Sequence, residues 1–239
     1  MSRLLGIAAF AFYCAVVDVR EAFSDDTTTD VNIVTALDIS ESIDAVGMRI
    51  MIEGMAQAIA APEVLSAIRN GRHHQIGFAV FAWHQGIYPE IVSWSLIETQ
   101  SDTEVVAARI MERLNVDIEL EARTATGSSV GRMTDLSGAI DHASDMLLKA
   151  PYGTDRNVIN IVGNGRDNFG VEPASSRDAA LDRGATINGA VLGADRSLYY
   201  YYRLEVIGGP GAFVLSADDP TKIAEMLARK FRFDIAMAR

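Results

Sequence analysis

Asp38-Ile39-Ser40-Glu41-Ser42 places one carboxylate and two hydroxyls at alternate positions, directly after the strand-forming run Val31 to Leu37. As the chain leaves a strand, that spacing can turn three oxygens toward one point. A hard divalent cation such as Mg²⁺ or Mn²⁺ takes oxygens of this kind and fills its remaining positions with water. Hydroxyl oxygens are neutral, so the ion in such a site stays short of negative charge and open to a carboxylate from outside. The same serines also suit a local task, because Ser40 or Ser42 can cap the helix that begins near Ile43.

Two further polar turns fall where chemistry is commonly placed. Thr134-Asp135-Leu136-Ser137-Gly138 stands ahead of a helical stretch, and Gly163-Asn164-Gly165-Arg166-Asp167-Asn168 follows a buried-type strand. Other features carry less. The four histidines are scattered, and His73-His74 lies in a polar turn without a second cluster at ligand spacing, so it reads as solvated loop. Tyr199 to Tyr202 reads as half-buried packing on a loop or helix. Ile207 to Val214 is glycine-rich, yet it lacks the lysine of a phosphate-binding loop and opens no helix after a first strand.

The elements that must position these turns alternate in type. Val31 to Leu37, Gln75 to Trp83, Glu90 to Ile97, Asn157 to Val162, Ala185 to Leu192 and Ala212 to Ser216 read as strands. Helical spacing marks the stretch from Ile43 through Ile59, a short segment between Pro62 and Gly71, and Asp102 to Leu114. It returns in Leu136 to Leu148, Pro173 to Arg183 and Pro220 to Ile235. Strands that are apolar on both faces and alternate with helices imply an α/β fold. The expectation is a doubly wound, mostly parallel sheet of about six strands with helices on both faces. The short His84-Gln85-Gly86 connection makes Gln75–Trp83 and Glu90–Ile97 an antiparallel hairpin at or near one edge. In such sheets ligands bind at the carboxyl ends of strands, where the winding direction switches.

The chain has 239 residues, enough for one such domain of generous size, with 49% hydrophobic and 22% charged residues. That composition supports a packed core and excludes disorder as the main state. A net charge of −11 argues against nucleic acid or anionic lipid as a partner, since phosphate binding needs clustered Lys and Arg. Met1-Ser2-Arg3 followed by the uncharged run Leu4 to Val17 has the length of a signal-peptide core and is short for a membrane span. Residues 1–22 are thus expected to be a signal peptide or N-terminal anchor, 23–30 a polar linker, and 31–239 the folded domain. The protein is expected to be exported, to the periplasm or beyond. The single cysteine, Cys14, falls inside the apolar run, so the remainder has neither disulfide nor thiol chemistry.

Taken together, Asp38-x-Ser40-x-Ser42 after the first strand, Thr134 in the second polar turn and the Gly163-Asn164-Gly165 turn resemble the metal-ion-dependent adhesion site of von Willebrand factor A domains. Pro62 to Ile68, Thr134 to Ile140, Asn157 to Asn168 and Ile207 to Val214 look closer still to DUF1194, a family of exported bacterial proteins in that superfamily. The resemblance covers nearly everything from Val31 to Ile235. It implies that Asp38, Ser40 and Ser42 hold an ion from the first loop, Thr134 from the second and Asn164 from the third. The family's third loop usually brings an Asp; Asn164 keeps a carbonyl oxygen and loses the charge, which implies weak Mg²⁺ or Mn²⁺ binding. Asp135 and Asp167 are the nearby acids available to compensate, although neither stands at the family's position. The implied function is an interaction module that engages an acidic group of a protein partner, and not an enzyme.

Two alternatives stay open on the residues alone. One is a metal-free structural or scaffolding domain. The other is a phosphohydrolase, because an Asp ending the first strand and a later Gly-Asn-Gly-Arg-Asp are similar to haloacid-dehalogenase-type phosphatases. In those enzymes a second Asp two residues on is the general acid. Here that position is Ser40, and no lysine stands at a strand end to neutralise phosphate.

Overall fold

The computed structural model describes residues 27–40, 43, 45–116 and 133–237. Eight strands are present among them: β1 Thr28–Thr29, β2 Asn32–Asp38, β3 Ile76–Trp83, β4 Glu90–Ile97, β5 Gly153–Thr154, β6 Asn157–Gly163, β7 Ala185–Leu192 and β8 Val214–Ala217. The helices are α1 Ala45–Ile59, α2 Pro62–Arg69, α3 Gln100–Val116, α4 Leu136–Leu148, α5 Pro173–Asp182, α6 Arg196–Tyr201 and α7 Ile223–Ala236. A π-helical turn, Tyr202–Val206, continues α6, and a 3₁₀ turn, Pro220–Lys222, leads into α7.

Six strands form the main sheet in the order β4-β3-β2-β6-β7-β8. All neighbours are parallel except β3 and β4, the expected hairpin, which places β4 at the edge. The hairpin closes through Gln85 and Gly86 at φ of 36° and 75°, between the bridged pair His84 and Ile87. Two consecutive left-handed residues give the turn whose twist matches the strands, and Gly86 adopts that conformation without strain.

Successive side chains of a strand point to opposite faces, so each central strand feeds two cores. Ile33, Leu37, Phe78, Val80, Val158 and Val162 pack with α1, α2, α3 and α7. Val34, Ala36, Ala79, Phe81, Ile159 and Ile161 pack with α4, α5 and α6. The central strands β2 and β3 are buried along their whole length, which is why they read as unbroken apolar runs.

From β2 the chain steps to β3 and β4 on one side, then returns to β6, β7 and β8 on the other. The direction of winding therefore reverses between β2 and β6. Their register pairs Leu37 with Val162, which sets Asp38 beside Gly163 at the carboxyl edge.

The polar segment expected to be a linker over 23–30 is partly built into the fold. Thr28 and Thr29 pair parallel with Gly153 and Thr154. Asp30 donates its backbone N–H to Gln75 O, at 2.9 Å, and its Oδ1 accepts from His73 N, also at 2.9 Å. A two-residue strand has no periodicity to read, and its polar residues are satisfied by partners more than a hundred positions away. The expected export segment, 1–22, lies outside the described residues. Among the described residues no helix is long and apolar enough to cross a membrane.

Candidate metal centre

Asp38 is the last residue of β2, and burial on both sides of that strand leaves its side chain with no exposed surface. The next turn folds back on it: Ser40 N donates to Asp38 Oδ1 at 2.8 Å. Ser40 is itself fully buried. From the second loop, Thr134 Oγ1 donates to Ser40 Oγ at 3.2 Å across 94 positions of sequence. Asp38, Ser40 and Thr134 thus come together beneath the carboxyl edge, while Ser42 lies outside the described residues. Asn164 directly follows Gly163 and lines a cleft of about 330 Å³ with Ile43, Gly47, Leu192 and Ala217.

The backbone of the second loop is held by the third. Thr134 N donates to Asn168 Oδ1 at 2.7 Å, and Asn168 N returns a hydrogen bond to Thr134 O at 3.0 Å. Leu136 N donates to Asp167 Oδ1 at 2.7 Å. Burial pushes the Asp167 carboxyl above its usual range, against the backbone N–H groups of Leu136 and Ser137 that favour the charged form. Asp167 is therefore spent on the orphan donors at the start of α4.

Asp135 is spent in the same way. Its Oδ1 accepts from Gly138 N at 2.9 Å as the α4 N-cap, and its Oδ2 accepts from Gly86 N and from the Tyr88 hydroxyl, both at 2.9 Å. That carboxylate docks the tip of the β3–β4 hairpin onto the second loop, and Gln85 N adds a bond to Met133 O at 3.1 Å. The two acids expected to be available for compensation at Asn164 thus carry structural hydrogen bonds of their own.

Gly163 is a crowded position. A Cβ placed there would stand 2.8 Å from the Tyr202 hydroxyl and 2.9 Å from Asp38 Oδ2. The tyrosine run at 199–202 is expected to be half-buried packing, and Tyr199 and Tyr201 are half-buried, whereas Tyr200 is exposed and Tyr202 is completely buried. Four adjacent residues on a helix face four directions, so one of them had to point inward once the segment packed on the sheet. His73 and His74 form no cluster, and no group of three His, Cys, Asp or Glu side chains poised for a metal exists among the described residues.

The family model described as "Protein of unknown function (DUF1194)" matches residues 28–239. The chain belongs to this family. No curated protein sequence matches it. Solved structures place its fold among von Willebrand factor A domains. The vWF domain of the type V pili tip protein Mfa5 from Porphyromonas gingivalis matches with a TM-score of 0.58 at 10% identity, covering 89% of this chain and 97% of that one. Proximal thread matrix protein 1 from the mussel byssus, solved with a zinc-occupied MIDAS motif, matches with a TM-score of 0.57 at 14% identity. That match covers 88% of this chain but 49% of the mussel protein, so the chain spans about half its length. Manganese-loaded TRAP protein of Plasmodium vivax matches with a TM-score of 0.50 at 11% identity, covering 87% of this chain and 74% of that one.

Proposed function

We propose that this DUF1194 protein is an exported, non-enzymatic interaction module of adhesion type. In this reading Asp38, Ser40, Ser42, Thr134 and Asn164 hold Mg²⁺ or Mn²⁺, and an acidic group of a protein partner completes the coordination. The observation that carries it is the 3.2 Å separation of the Ser40 and Thr134 hydroxyl oxygens beside the buried Asp38 carboxylate. Ligands at 2.0–2.1 Å in octahedral positions stand about 3 Å from their neighbours. The two hydroxyls already have that spacing, and they come from loops that only the fold brings together. The zinc and manganese carried by the mussel and Plasmodium proteins support the same reading, as do the byssus and pilus-tip origins of two of the similar structures.

The chemistry is electrostatic. A bound cation would supply a Lewis-acidic centre at the carboxyl edge, while the chain contributes one carboxylate, neutral hydroxyls and the Asn164 carbonyl. So few formal charges favour an added carboxylate from outside. A phosphohydrolase is disfavoured because Ser40, two residues after Asp38, offers no general acid. A metal-free scaffold is the second reading, favoured by Asn164 and by the Thr134–Ser40 hydrogen bond, which closes the site on itself.

Calorimetry with Mn²⁺ on the wild type, Asp38→Ala and Asn164→Asp separates these readings. The expected outcome is weak binding by wild type, none by Asp38→Ala, and about tenfold tighter binding by Asn164→Asp, since affinity at oxygen sites follows ligand charge. If Asn164→Asp binds no tighter and Asp38→Ala loses nothing, the cation site is refuted and the scaffold reading stands.

A further inference from the structure

Tyr202 brings a polar atom to a place where packing alone needs none. The side chain has no exposed surface and sits in the core formed by Val34, Ala36, Ile161 and Ile187. A phenylalanine would fill that space as well. The hydroxyl has no hydrogen-bond partner among the described residues, and a buried donor left in that state is a cost a fold normally removes. It points to the inner side of the candidate metal centre. Gly163 Cα is flanked by this hydroxyl and by Asp38 Oδ2, each within 2.9 Å of where a Cβ would stand, so the two groups converge on one glycine.

The backbone makes a local exception to achieve this. From Tyr202 to Val206 the helix widens to a π turn, with Ile207 N donating to Tyr202 O at 2.9 Å. Single π turns are rare and shift the side chains of one helix face relative to the regular helix before them. The two tyrosines at this junction consequently reach different parts of the site. Tyr201 accepts from Asp167 N at 3.3 Å in the third loop, while Tyr202 reaches the Asp38 side.

We propose that Tyr202 is a positioning residue for the cation site: its hydroxyl, which makes no hydrogen bond with a described residue in the structure, donates to the Oδ2 side of the Asp38 carboxylate once a cation is bound, and so fixes the orientation in which that carboxylate meets the cation. The proposal rests on the reading of the site given above. Ser40 N holds Oδ1, so a donor at Oδ2 would pin the carboxylate at both oxygens. Ligating carboxylates are commonly held by such outer donors, whose loss costs about 10- to 100-fold in metal affinity.

The test is Tyr202→Phe, with Mn²⁺ affinity read by calorimetry and the metal-free melting temperature read alongside. The expected result is Mn²⁺ binding at least about tenfold weaker with an unchanged or higher metal-free melting temperature, because ring packing is kept and an unpartnered hydroxyl is removed. Unchanged Mn²⁺ affinity would overturn the role of Tyr202 while leaving the site itself standing. A Phe variant that no longer folds would make the hydroxyl structural and overturn it too. Should wild type bind too weakly to measure, Asn164→Asp and Asn164→Asp/Tyr202→Phe form the pair compared. Absence of binding in Asn164→Asp as well would refute both the site and this role.

Discussion

Thr134 reaches Ser40 because its own backbone is gripped from the opposite side. Asn168 Oδ1 accepts from Thr134 N at 2.7 Å, and Asn168 N bonds back to Thr134 O. Asn168→Ala keeps the backbone bond and removes the side-chain acceptor, leaving a buried N–H unpaired. The expected loss of stability is about 1–3 kcal/mol, read by urea denaturation. Because Thr134 is then free to drift from Ser40, Mn²⁺ affinity is expected to fall in the same variant. A variant of unchanged affinity would mean that the loop's other bonds, through Asp135, Asp167, Gln85 N and Asn168 N, suffice to hold it. At this scale the sequence displayed the residue types well and their jobs poorly. Asp38, Ser40 and Thr134 announced themselves through spacing and resemblance. Asp135 and Asp167 looked like spare charge, and only their neighbours in space, Gly86, Tyr88 and Leu136, reveal them as caps and clamps. Tyr202 was hidden in a run of four identical residues whose inward member cannot be told until the packing face is known.

Among the elements, α7 makes the most unusual contact with the sheet. Lys230 and Asp234, one turn apart, are both wholly buried and form an ion pair at 3.3 Å. Asn160 Nδ2 and Asn188 Nδ2 donate to the two Asp234 oxygens at 2.9 and 2.8 Å, and Lys230 Nζ donates to Asn160 Oδ1. Asn160 and Asn188 are register partners on β6 and β7, so the sheet offers a pair of amides at the level of the ion pair. Burial pulls the Lys230 ammonium down from 10.5 to about 8, against the opposing pull of Asp234; Arg156 adds to the lowering. The folded state therefore binds fewer protons than the unfolded state between those values. Stability carries this cost in full below pH 8 and recovers as pH rises toward 10.5. From pH 7.5 to 9.5 the recovery is expected to be about 2 kcal/mol, before tyrosine ionisation in the unfolded chain opposes it. Lys230→Met should lose roughly 3–5 kcal/mol at neutral pH, because Asp234 then stays buried without a cation, and it should lack the rise. Urea titrations of both proteins at the two pH values read this directly; a rise of equal size in Lys230→Met would assign it to another group. The strands and most helices around this network were legible as apolar runs and helical spacing, because burial on both faces imposes those patterns. The β1–β5 pair and the π turn were not, since each depends on long-range partners rather than on local sequence.

On the scale of the whole molecule, the candidate centre ties together segments far apart in the chain. Asp38 ends β2 and Thr134 precedes the N-cap of α4, so the Asp38–Ser40 turn and Thr134 meet only in the folded state, while Asn164 follows β6 at the same edge of the sheet. A cation bound there binds the native protein and has no comparable site in the unfolded chain. Its binding free energy therefore adds to stability by mass action, about 2.7 kcal/mol at a free concentration one hundred times the dissociation constant. For a chain of this size each kcal/mol moves the melting temperature by roughly 2–4 °C, so saturating Mn²⁺ is expected to raise it by roughly 5–10 °C. The rise should be absent in Asp38→Ala and should begin at lower Mn²⁺ in Asn164→Asp. General ionic strength acts differently: it screens the −11 net charge and stabilises every variant alike. Melting curves of the three proteins in Mn²⁺ and in NaCl of matched ionic strength distinguish the two effects. An equal shift in all three proteins and both salts would reduce the response to charge screening. A shift confined to Mn²⁺ and abolished with Asp38 would show that the carboxyl edge of this sheet is held together by a metal.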